Sequence, residues 1–176
     1  MVIVQNHMSS PIKVNFLCSE LRIGQADIAL IRSLEALPEA RYRGQLFVQE
    51  IPKPPVVTHL PIFSMYHAVN LRNDTDTTFW FANDWRTIPT LRYLNLMGVC
   101  CHKYVWVNAP AYLYPHERQQ FLHILRAYRS EFTVIAGSTQ YQSDLSRLGC
   151  AVEPSIISDY CPNRMASFIE QKLLVN

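Results

Sequence analysis

The chain has 176 residues, 49% of them hydrophobic and 17% charged, with a formal net charge of +2. That length suits one domain, and the apolar fraction excludes a disordered chain. The charge is too small to indicate nucleic acid, and no apolar window reaches the ~20 residues of a membrane span.

The opening "MVIVQNHMSS" lacks the basic start and long apolar run of a secretory signal. Residues 1–11 are expected to be a loose tail, and residues 12–176 a single domain. The expected setting is cytoplasmic. Strand and helix signals then alternate. "IKVNFLC" is a short apolar run, and Ile28, Leu30, Ile31, Leu34 and Leu37 keep helical spacing ahead of Pro38. "GQLFVQ" at 44–49 reads as a second strand. "IPKPPVVTHLP" at 51–61 is too proline-rich for a helix and reads as an extended connection or a loop at the mouth of a site. "TTFWFA" at 77–82 is a third strand, and Leu91, Leu94 and Met97 form a helical stripe closed by Gly98.

"KYVWVN" at 103–108 is a fourth strand, and Pro115 opens a helix carrying Phe121, Leu122, Leu125 and Tyr128. "FTVIAG" at 132–137 is a fifth. Ser138 caps a helix with Tyr141, Leu145 and Leu148 that stops at Gly149. "AVEPSII" offers a sixth strand, and "NRMASFIEQKLL" a final helix capped by Asn163. Apolar strands alternating with helices predict an α/β, Rossmann-like doubly wound sheet, mostly parallel, with helices on both faces. Ligands of such sheets bind beyond the carboxyl ends of the strands.

The loops at those ends carry the candidate residues. "SELRIGQAD" lacks both the dinucleotide fingerprint and the P-loop lysine. Gly24 there either lets a ligand approach backbone N–H groups or serves only a tight turn. In "FANDWRT", Asp84 is placed to accept a proton from a hydroxyl, Trp85 to stack on a sugar ring and Arg86 to hold a phosphate. The alternative is a helix start capped by Asn83 or Asp84, with Trp85 packed inward. Asn108 ends a strand in "VNAPAYLYPHER", near Tyr112, Tyr114 and His116. "AGSTQ" is not a nucleophile elbow, so Ser138 is first a cap, its N–H groups an optional anion site. Five cysteines without C-x-x-C spacing read as free thiols. Zinc at Cys100, Cys101 and His102 would need neighbouring strand residues to share a face. No metal is expected, although the turn-rich "NDTD" at 73–76 does carry one D-x-D triplet, Asp74-Thr75-Asp76.

Taken in order, these loops resemble the N-terminal, acceptor-side domain of GT-B glycosyltransferases of the glycogen-synthase-like group. Gly24-Gln25-Ala26-Asp27 with "IALIRSLEAL" stands in the place of that family's Gly-Gly-Ala-Glu-like loop and helix. Ala82-Asn83-Asp84-Trp85 matches its His-x-Asp-Trp-like element. Val107-Asn108-Ala109 and "TVIAGSTQYQSDLSRLGCAVEPSIISD" follow in step, from Ile12 to about Asp159 overall. Gln25 replaces the second glycine, and Asn108 stands where many relatives carry a catalytic histidine. The resemblance implies sugar transfer from a nucleotide-sugar, used as co-substrate with no other cofactor, to an acceptor. Asp84 would transfer a proton or position the acceptor. Gly24 and Gln25 would approach the donor phosphate or sugar, and Gly137 and Ser138 would supply N–H groups. Asn83, Trp85, Arg86 and Asn108 would line the acceptor side. A donor-domain partner chain or a second copy would close the cleft. The competing reading is a binding module without chemistry, or a fragment of a longer transferase.

Overall fold

The computed structural model describes residues 10–21, 25–50, 57–71, 78–99, 102–107, 115–155, 157 and 160–175, excepting the side chains of residues 25–27, 69 and 117. Seven strands form one sheet: β1 (Ile12–Glu20), β2 (Tyr42–Glu50), β3 (Ile62–Ser64), β4 (Thr78–Ala82), β5 (His102–Val107), β6 (Thr133–Ala136) and β7 (Ala151–Val152). Among the described residues six helices accompany them: α1 (Gln25–Glu35), α2 (Met65–Asn70), α3 (Ile88–Leu96), α4 (Pro115–Tyr128), α5 (Thr139–Arg147) and α6 (Pro162–Leu174). The strand order is β3-β2-β1-β4-β5-β6-β7, and every pairing is parallel. This is the expected Rossmann-like doubly wound sheet. Order runs outward from β1 through β2 to β3, then restarts beside β1 with β4. The reversal therefore lies between β1 and β4.

Strand alternation sends successive side chains to opposite faces, and each face is covered. Val14, Phe16 and Cys18 of β1 join Leu30, Ile31 and Leu34 of α1 and Met165, Phe168 and Ile169 of α6 in one core. Leu17 joins Ile88, Leu91 and Leu94 of α3, Phe121 and Leu125 of α4, and Leu145 of α5 in the other. Gly98 and Gly149 have φ of 71° and 77°. Each follows a helix in a Schellman closure: Val99 N–H donates to Leu94 O at 3.0 Å and Cys150 N–H to Leu145 O at 3.2 Å. Both stops were legible from glycine alone.

Three details differ from the sequence reading. The 51–61 connection is followed by a strand and helix that were not anticipated, β3 and α2. Three strand residues are too few to set a period, and Ser64 caps α2 by accepting from Tyr66 N–H at 3.4 Å. β7 holds two residues rather than the seven of "AVEPSII", because Pro154 cannot continue a ladder. Asn163 does not cap the last helix. That place belongs to Cys161, and Pro162 fills the first helical position, where a missing N–H costs nothing.

Candidate functional site

β1 and β4 lie side by side, Leu17 opposite Ala82, so their carboxyl ends emerge together at the reversal. The Asn83 N–H extends the ladder by donating to Leu17 O at 3.0 Å. Beyond it the two strand ends are tied by Asp84. Its Oδ2 accepts the Ser19 N–H at 2.8 Å, and its Oδ1 accepts the Arg86 N–H at 2.8 Å. The first bond crosses 65 residues of sequence. The second closes a local Asx turn, which Thr87 completes by donating its hydroxyl to Asp84 O at 2.8 Å. Burial pushes the Asp84 carboxyl above the usual carboxylate range, while the N–H donors of Ser19 and Arg86 pull it back. Desolvation is the larger effect. Asp84 is thus a partly buried carboxyl with both oxygens engaged by main chain.

Trp85 packs against the core beneath α3. The Arg86 guanidinium lies 4.8 Å from the centre of its ring. The cation lies over one face of the indole. Arg86 itself is exposed. Thr87, not Asn83 or Asp84, takes the residue before α3, and its side chain makes no cap bond there.

Asn83 faces the other core. Its Oδ1 accepts the Tyr160 hydroxyl at 2.5 Å, and its Nδ2 lies 3.9 Å from the Cys18 Sγ. Tyr160 joins this candidate cluster without having been anticipated from the sequence. It stands just ahead of α6 and 77 residues from Asn83, so no local spacing announces it.

Gly137 and Ser138 occupy the same carboxyl edge, past β6. The Gly137 N–H donates to Val107 O at 3.0 Å. Ser138 caps α5, its Oγ accepting the Tyr141 N–H at 3.2 Å. β6 is two strands from β4, so this pair stands roughly 10 Å to one side of Asp84. The structure therefore brings Ser19, Asn83, Asp84 and Tyr160 together and sets Gly137 and Ser138 apart on one rim. Gly24, Asn108, and the Cys100–Cys101 pair lie outside the described residues, as does the side chain of Gln25. Gln25 opens α1.

Among the described residues no group of three or more His, Cys, Asp or Glu is placed to hold a metal ion. No helix among them is long and apolar enough to cross a membrane. A cavity of about 590 Å³ lies elsewhere, against Gln119, Gln120, Leu122, His123 and Arg126 of α4. It touches none of the residues above.

No protein-family model matches the chain, and no curated protein matches it. Among solved structures it is similar to an AraC-family transcriptional regulator from Pseudomonas putida, with 9% identity, a TM-score of 0.45 and 92% of each chain covered. The fold assignment rests on the strand order, and the chain is a Rossmann-like α/β domain.

Proposed function

We propose that this domain binds a ligand in the crevice over the carboxyl ends of β1 and β4. The observation that carries this reading is the polar set Ser19, Asn83, Asp84 and Tyr160, gathered where the strand order reverses. The helices that follow β1 and β4 lie on opposite faces of the sheet, and the crevice at such a reversal is where sheets of this kind take ligands. The ligand class is the one the sequence resemblance implies: a nucleotide-sugar or the acceptor of its sugar. In the binding reading Asp84 holds β1 and β4 in register, and Asn83 presents its amide beside them. No chemistry is required of either.

A second reading has the domain act as the acceptor-side half of a GT-B-like glycosyltransferase, with a donor-domain chain or a second copy closing the cleft. One observation favours it: burial raises the Asp84 carboxyl above its ordinary range, the direction that makes a carboxylate a better proton acceptor. Against it, both carboxylate oxygens already accept N–H groups. Binding is the better-supported function.

Thermal unfolding with UDP-glucose, ADP-glucose and GDP-mannose tests both. Binding predicts that one of them raises Tm by about 5–10 °C at about a hundred times its Kd. No shift with any of the three would refute the nucleotide-sugar class. Release of nucleotide from the shifting ligand, lost in Asp84→Asn, would favour transfer over binding alone.

A further inference from the structure

Tyr160 has φ 51°, the one positive φ of a non-glycine residue among the described residues. A bulky side chain there is an outlier that persists only where its surroundings over-determine it. Those surroundings are specific. The side chain is 2% exposed. Its ring stacks on Trp106 with centroids 5.4 Å apart and planes at 25°, and it meets Phe16 edge-on at 6.2 Å. Its hydroxyl donates to Asn83 Oδ1. Tyr160 thus covers the α6 side of the carboxyl edge and engages the amide of Asn83, the residue that follows β4.

What lies behind it is unusual too. Trp106 is fully buried, and its indole N–H has no acceptor. Cys18, 1% exposed, sits against the Asn83 amide. Moving the ring would uncover an aromatic floor edged by an amide and an unspent indole donor.

We propose that Tyr160 is a displaceable plug: it closes the crevice over β1 and β4, and ligand entry requires its ring to leave Trp106 and its hydroxyl to release Asn83. The proposal rests on the binding reading of that crevice. It makes the site self-occupied at rest. Occupancy is then set by competition between a ligand and the chain's own tyrosine.

Cys18 reports the opening without any ligand. The full chain is treated with N-ethylmaleimide at rising, sub-denaturing urea, and modification of Cys18 is followed by peptide mass spectrometry. Local opening predicts a rate that stays flat in low urea, since little surface is exposed. Tyr160→Phe keeps the ring and loses only the hydroxyl bond. It should speed labelling about three- to tenfold, beyond what its change in global stability accounts for. A wild-type rate that climbs with the full urea dependence of global unfolding would overturn the plug. So would a Tyr160→Phe rate no faster than its stability loss explains. Failure of the nucleotide-sugar panel would leave this labelling result standing, so the two ideas fall separately.

Discussion

The two faces of the sheet are built from different chemistry. Under α1 and α6 the core is a ladder of rings: Phe16 stacks on Phe81 at 4.7 Å and tilts against Trp106 at 5.6 Å, and Tyr104 meets Phe168 edge-on at 5.0 Å. The opposite face is mostly aliphatic beneath α3, α4 and α5. It also contains Asn15, fully buried in mid-strand, with neither amide atom hydrogen-bonded. Its register neighbour Trp80 has an indole N–H without an acceptor as well. Asn83 belongs to the ring-lined face but stands past the strand end, and there Tyr160 engages it. The comparison teaches that position along a doubly covered strand decides what an asparagine does. In the middle it carries an unrepaid desolvation cost, and at the end it finds partners.

The ring-lined face should be the more fragile when cut. Phe16→Ala removes a fully buried ring at the centre of the ladder. It should cost about 3–5 kcal/mol, read as a lower urea midpoint at unchanged slope. A cost below about 1 kcal/mol would show that the ladder is not the main store of packing energy.

The strand-end tie gives a smaller, pH-dependent effect. Asp84→Asn leaves one of the Ser19 and Arg86 N–H groups without a good acceptor, at a cost of about 1–3 kcal/mol. The folded carboxyl titrates above its unfolded value, mainly through burial. Its contribution is therefore fully present below the ordinary carboxylate range and is lost as pH rises through the raised folded value. The deficit of Asp84→Asn against the parent should be largest near pH 4 and shrink toward pH 7. Urea titrations across that range measure it. A deficit that grows with pH would mean that the N–H donors outweigh desolvation.

The smallest effect sharpens the comparison most. Asn15→Leu should be neutral or stabilise by up to about 1 kcal/mol, because it replaces an amide that has no partner. Asn83→Leu should instead cost about 1 kcal/mol, because it leaves the Tyr160 hydroxyl without that acceptor. A larger loss at residue 15 than at residue 83 would reverse the ordering.

Much of the fold was legible because apolar runs and helical stripes are local signals. β1, β2, β4, β5 and β6 fall on the runs read as strands, and both glycine stops carry the positive φ a helix end needs. What escaped was short or non-local. β3 has three residues, and the cap of α6 turned on Pro162 rather than on the polar Asn163. The site divides the same way. Asn83 and Asp84 were visible because a polar pair followed a buried strand. That Asp84 would spend both oxygens on main chain was not visible, since Ser19 is 65 residues away. Arg86 covering the Trp85 ring follows from a side-chain orientation that spacing does not encode. Tyr160 reaches its place only through the return of the chain into α6.

Amide NMR with UDP-glucose tests the central claim most directly. The crevice over β1 and β4 predicts that the largest shifts fall on Ser19, Asn83, Asp84 and Tyr160, with Gly137 and Ser138 following more weakly. Shifts that gather instead on α4, around His123 and Arg126, would contradict it.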